Sequence, residues 1–347
     1  MSLRLGQTAV RVHRGITGAD MAIIDFHNHY YPPAYLDALE RGPSTVRITR
    51  DASNNPVIHY PGDYNVAVPG HRDIDYREQV LREAGVDTQV ITLTTPGTHV
   101  EEPAVAVRLA QLVNDAFAKV VADKKGRFAA LGTLPLNDPA SSVTELRRCV
   151  EQLHFPGAML FSNVNGTPLY DGRFARLYEV ANELEAVLYI HPTNPISVEA
   201  MTDFWLMPLV GFLFDTTLAA AGLVFSGIIE KFPDIRWVLG HLGGAIPYLA
   251  ERLDRGYSAF AECREHIVQP PSNYLKKFYF DTVNFDPHAI ELAINFAGPD
   301  HILAGSDYPH QIGSIEQMLK SIRDLRVTEE VKARILGGNA VQLLRLK

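Results

Sequence analysis

Eight short apolar segments, at residues 21–26, 86–93, 127–133, 157–161, 187–190, 235–240, 278–281 and 301–305, alternate with stretches of helical periodicity, and this alternation restricts the fold most. The helical stretches cover residues 102–124, 140–153, 174–185, 215–231, 244–263 and 287–296. Strand-helix repetition implies parallel strands joined by crossover helices, and eight such units close most naturally into an α/β fold, the (β/α)8 TIM barrel. A chain of 347 residues has room for one such domain, expected over residues 21–347 without a linker. Residues 44–70 break the pattern. There "RITRDASNNPVIHY" reads as a small β-hairpin with SNNP as its turn, inserted after the first unit and lying near the barrel mouth. Residues 1–20 carry scattered arginines but no apolar run of the signal-peptide kind, and read as an N-terminal arm.

Composition excludes several partners. The formal charge is −8, and no basic block or aromatic-basic interleaving occurs, which argues against a nucleic-acid surface. Residues 209–229 come nearest to a membrane span, but Asp215, Thr216, Thr217 and Ser226 interrupt them, so no membrane partner is expected. The two cysteines, Cys149 and Cys263, are far apart and match neither a disulfide framework nor a thiolate metal site. A reducing cytoplasm fits them.

Barrel enzymes place catalytic residues at the C-terminal ends of several strands. In "IIDFHNHYYPP" the first strand runs into His27 and His29, which share a face because strand side chains alternate. Such a pair suits a divalent transition metal, or it packs as ordinary histidines. "VLYIHPTNP" sets His191 after the fifth strand, "WVLGHLGG" sets His241 after the sixth, and "ILAGSDYPH" sets Asp307 after the eighth. Five metal-binding or proton-transferring side chains thus converge on one mouth. His241 has a side chain whose ordinary pKa suits acid/base work, although a structural hydrogen bond would also explain it.

The motifs "DFHNH", "IHPTNP", "GHLGGAIPYLAERLDRGY", "FYFDT" and "GSDYP" together resemble the metal-dependent amidohydrolase superfamily, in its aminocarboxymuconate semialdehyde decarboxylase-like group, from about residue 23 to the end. The resemblance implies that His27, His29, His191 and Asp307 hold one divalent metal, Zn²⁺ with Mn²⁺ as the alternative, and that no organic cofactor is needed. It implies that His241 and Asp307 are catalytic. It also implies that Arg252, which periodicity alone would leave on a solvated helix face, grips a substrate carboxylate across the interface of a homodimer or dimer of dimers. Ser162 and Asn163 stand where binuclear relatives carry a bridging lysine, which favours a mononuclear site.

Asn163 and Trp205 are further candidates for substrate contact. Trp205, Phe212 and Phe214 could wall an aromatic pocket or simply fill core. Asp281, ending the seventh strand, could orient a histidine. "GDYNVAVPG" lacks the second carboxylate-binding arginine of the semialdehyde decarboxylases, which favours a monocarboxylate. His59, His71, His99, His154, His288, His301 and His310 lack the strand-end context and are left out. The expected activity is metal-dependent, non-oxidative decarboxylation of a small aromatic or unsaturated carboxylic acid. Hydrolysis of an amide, ester or lactone, or hydration, remains open on the same scaffold, and a non-catalytic metal scaffold is the reading from another class.

Overall fold

The computed structural model describes residues 22–60 and 63–346, so the expected arm at residues 1–20 lies outside the described residues. Eight strands make the ring: β1 Ile24–His29, β2 Thr88–Thr92, β3 Phe128–Ala130 continued by Gly132–Thr133, β4 Gly157–Phe161, β5 Val187–His191, β6 Arg236–Leu239, β7 Tyr279–Asp281 and β8 Ile302–Leu303. Each pairs in parallel with the next. β3 meets β2 with its first half and β4 with its second, on either side of Leu131, and so joins two sheets. Closure comes between β8 and β1. There the Phe26 amide donates to the Ala304 carbonyl (2.8 Å), the Ser306 amide donates to the His27 carbonyl (3.1 Å), and Asn28 bridges Tyr308.

β4 (GAMLF) and β5 (VLYIH) are near-continuous apolar runs in which every residue is buried, as a parallel sheet covered on both faces requires. Helices supply the cover. Pro103–Asp123 and Pro287–Ala297 each start on a proline, whose fixed φ and missing N–H suit the first helical position.

The elements depart from the sequence expectations in four places. β1 begins and ends three residues later than the apolar run, because His29 itself pairs with Thr92. β8 is shorter, since the backbone beyond Leu303 bonds across to β1 instead of extending the ladder with β7. The helix expected over residues 215–231 splits into Phe212–Phe225 and Ile228–Lys231 at Gly227, where φ is 75°. The insertion is a three-stranded antiparallel sheet, Arg47–Arg50, Pro56–Tyr60 and Asp63–Val66, and not a hairpin. Its third strand pairs antiparallel with the second, Tyr60 opposite Asp63. The short helix Pro69–Arg72 then returns the chain to the barrel.

Among the described residues, one stretch, Met207–Phe225, is long and apolar enough to cross a membrane by length and composition. In this fold its inner face, with Asp215 and Thr216 buried, packs on the barrel.

Candidate active site

Four side chains from three strands meet at the C-terminal mouth: His27 and His29 from β1, His191 from β5 and Asp307 just beyond β8. Their donor atoms all lie within 4.8 Å of one another, and all four residues are buried. His27 Nε2 is 3.1 Å from His29 Nε2, and Asp307 Oδ1 is 3.0 Å from His29 Nε2 and 3.3 Å from His27 Nε2. Tetrahedral donors about 2 Å from a cation stand roughly 3.3 Å apart, so this spacing fits a divalent metal. The tautomers fit as well. His27 Nδ1 donates to Asp281 Oδ2 at 2.6 Å and His191 Nδ1 donates to the Pro192 carbonyl at 2.7 Å, which leaves each Nε2 to the shared point. The His191 Nε2 atom is buried without a protein partner. Burial holds the His29 and His191 imidazoles well below the ordinary histidine range, in the neutral form that ligates.

Local backbone geometry aims these groups. Asp307 has φ 55°, and a Cβ on Gly305 would stand 2.8 Å from that of His27, so this crossing accepts only glycine. After β6 the chain makes a run of positive φ: His241 (52°), Leu242 (57°), Gly243 (72°) and Gly244 (61°). Backbone strain of this kind persists only where surrounding bonds impose it. Asp281 does so, accepting from the His241 amide (3.2 Å) and the Leu242 amide (3.3 Å) while it holds His27. The His241 ring then stands 4.8 Å from that of His27, centre to centre, with Nδ1 unpartnered. Burial, reinforced by His27, pushes its pKa down to about 4, so it rests as a neutral base.

The group opens into a cavity of about 500 Å³ bordered by His191, His241 and Asp307. Apolar walls come from Phe204, Trp205, Leu209, Phe212 and Ile312, and the insertion contributes Asp63, Tyr64 and Asn65. The Tyr64 and Trp205 rings meet edge to face at 5.6 Å, joining the insertion to the opposite wall. No lysine or arginine is among the described residues that line the cavity.

The structure therefore brings together His27, His29, His191, His241, Asp307 and Trp205. It does not bring Asn163 there. The Asn163 amide donates to Asp215 Oδ2 and the Asn194 carbonyl (both 2.8 Å), and its oxygen accepts from the Gly166 amide (2.9 Å). Those bonds tie the side chain to Asp215, Asn194 and Gly166, and Asn163 is not among the residues that line the cavity. Ser162 is likewise bound to Asp215. Arg252 lies exposed on the outer helix Ile246–Ala259, away from this cavity. Phe214 is also exposed and does not line it.

Sequence reasoning missed His71 and His310, which both line the cavity. The His310 ring stands 4.8 Å from that of His29. Its nearness to Asp307 in the chain was the available signal. His71 had none, because the insertion delivers it from a distant part of the sequence.

The fold and this site define a (β/α)8-barrel enzyme with a buried histidine-carboxylate group fit for a metal. The chain belongs to the amidohydrolase family, which it matches over residues 24–346. It is 34% identical to a 2-amino-3-carboxymuconate-6-semialdehyde decarboxylase of Dictyostelium discoideum, over 93% of this chain and 91% of that one. The fold is similar to the crystal structure of a 5-carboxyvanillate decarboxylase from Sphingomonas paucimobilis, with a TM-score of 0.83, 27% identity and coverage of 94% and 100% of the two chains. It is also similar to a dihydroxybenzoic acid decarboxylase from a Polaromonas species, determined with bound manganese and the inhibitor 2-nitroresorcinol (TM-score 0.78, 25% identity, coverage of 94% and 97%).

Proposed function

We propose that this protein is a metal-dependent, non-oxidative decarboxylase of a small aromatic or unsaturated monocarboxylic acid. The observation that carries the reading is a four-donor group opening on an aromatic-walled cavity, in a chain similar along nearly its whole length to several decarboxylases. Asp51, Asp63 and Asp307 are the acidic residues on the lining, and no lysine or arginine is among the described residues that line the cavity beside Asp51 and Asp63. A second carboxylate on the substrate would meet repulsion there, whereas a ring bearing one carboxylate fits.

We assign His27, His29, His191 and Asp307 as ligands of one Zn²⁺, with Mn²⁺ as the alternative that the Polaromonas structure supports. Such an ion would supply a Lewis acid that neutralises the carboxylate and an adjacent oxygen of the substrate. The chain's own groups handle the proton. Asp307, at the shared point and held ionised against the pull of burial by its hydrogen bonds to His27 and His29, is assigned relay of a proton that enters with the substrate acid to the carbon that bears the carboxylate, and the His241 Nδ1 atom is the second proton-handling site. Protonation interrupts conjugation. The electron pair of the breaking C–C bond then returns to the ring as CO2 leaves, so one carboxylate and one proton give one arene and one CO2. A ring seated against the apolar walls would displace water from them, which favours a transition state whose charge spreads into the ring.

Homodimerisation, alone or as a dimer of dimers, is supported by exposed Phe214 and Leu218, one helical turn apart on Phe212–Phe225, beside exposed Tyr248 on the Arg252 helix. Two free cysteines support a reducing cytoplasm.

The test is CO2 release by Zn²⁺- and Mn²⁺-loaded protein from a panel of hydroxybenzoates and muconate semialdehydes. Release should occur with at least one acid and drop about 100-fold or more in His241→Ala. Turnover of lactones or amides with no CO2 from any acid would replace this reading with hydrolysis.

A further inference from the structure

We propose that His71 is a substrate-recognition residue that hydrogen-bonds a hydroxyl substituent on the substrate's ring; the inference deepens the decarboxylase reading and rests on it. His71 is 2% exposed and lines the cavity, yet neither ring nitrogen has a hydrogen-bond partner. A buried imidazole with both nitrogens vacant is costly, and native proteins keep such groups where a ligand satisfies them.

The residue is held firmly in place by everything except its polar atoms. The Tyr31 amide donates to its carbonyl (2.7 Å), and Arg77 Nε donates to the carbonyl of Gly70 beside it (3.0 Å). Gly70 permits the approach, since a Cβ there would stand 2.4 Å from the Tyr308 hydroxyl. The imidazole stacks on the Tyr31 ring at 5.4 Å, and the Tyr31 hydroxyl is committed to the Thr95 carbonyl at 2.5 Å. On its other side the His310 ring lies 5.0 Å away, edge to face, and His310 in turn faces the metal-ligand candidate His29. His71 thus sits one ring beyond the reacting centre, where a ring substituent would reach it.

The chemistry selects the substituent. Burial opposes protonation, so the imidazole offers one N–H and one lone pair. A hydroxyl, both donor and acceptor, complements it; a second carboxylate would need the cation that the cavity lacks. A second metal is disfavoured, because the donor group that could hold an ion does not include His71.

Nitroarenes test this without turnover, since the nitro group has the shape of a carboxylate and cannot leave as CO2. Nitrobenzene and 2-, 3- and 4-nitrophenol are titrated calorimetrically into Mn²⁺-loaded wild type, His71→Phe and His71→Gln. At least one nitrophenol should bind wild type about 10- to 100-fold more tightly than nitrobenzene. His71→Phe should erase that preference while metal content and nitrobenzene affinity stay unchanged, and His71→Gln should restore part of it. A preference that survives in His71→Phe overturns the assignment, as does equal weakening of all four ligands. Wild type that binds nitroarenes without favouring a hydroxyl removes the role of His71 and leaves the decarboxylase reading standing. Failure to bind any of them, or any aromatic acid, overturns both.

Discussion

Asp281 shows how much one side chain can organise. Buried at the end of β7, it holds His27 Nδ1, and it also accepts from the His241 amide, the Val283 amide (2.9 Å) and the Tyr189 hydroxyl (3.3 Å). Replacing one charged oxygen by an amide should lower the basicity and loosen the aim of His27. Asp281→Asn is expected to weaken metal affinity about 10- to 100-fold with the fold intact, as read by competition against a chromogenic chelator; an unchanged affinity would deny that role. The cysteines give a second expectation at this scale. Burial raises the Cys149 thiol far above its ordinary range, whereas Cys263 is partly exposed. A thiol reagent should therefore modify Cys263 in the native protein and reach Cys149 only after denaturation. The four metal-ligand candidates were legible as strand-end residues, and the resemblance to the amidohydrolase motifs set them apart from His241. His71 was not, because its position depends on a fold-back of the insertion that no local pattern encodes, and strand-end position did not reveal that the Asn163 amide bonds Asp215 on a neighbouring helix.

Among the elements, β1 has the most demanding place, bearing two of the metal-ligand candidates and closing the ring. Arg77, on the helix Ile74–Ala84, locks it from below. Fully buried, Arg77 donates to Asn28 Oδ1 and Gln89 Oε1 (both 2.8 Å) and to the His29 carbonyl, and it lies over the Tyr308 ring at 5.0 Å. Gln89 continues the network to Asp25 (2.7 Å), which also accepts from the Ser306 hydroxyl (2.6 Å). One polar chain thus ties β2, β1 and the segment after β8 directly beneath the site. Arg77→Met leaves several buried acceptors unpaired and should cost roughly 3–5 kcal/mol in urea unfolding, against under about 1 kcal/mol if the network were incidental. The apolar strand centres were readable from composition and length. The ends were not: β8 dissolves into cross-ring bonds to β1, Gly227 interrupts a helix of unbroken periodicity, and a third strand, Asp63–Val66, joins the expected hairpin.

At the level of the whole molecule, the barrel converts distant sequence positions into one site: His27 and Asp307 are separated by 280 residues but stand within hydrogen-bonding reach. A cation bridging β1, β5 and the segment after β8 would bind the folded chain and not the unfolded one, so it should stabilise the fold by mass action. At a thousandfold excess over Kd the gain is about 4 kcal/mol. Chelation should lower the melting temperature by several degrees, with recovery on adding Mn²⁺ or Zn²⁺; a melting temperature indifferent to metal would contradict the site. The barrel class was legible because eight repeats of one pattern are hard to satisfy otherwise, whereas the face that a second copy would cover shows only once the helices are in place. The most direct measurement is the reaction run in D2O with carboxyl-labelled substrate. The account predicts labelled CO2 in equal amount to an arene that carries one deuterium at the vacated carbon. Product containing a solvent-derived oxygen, with the carboxyl label retained, would contradict it.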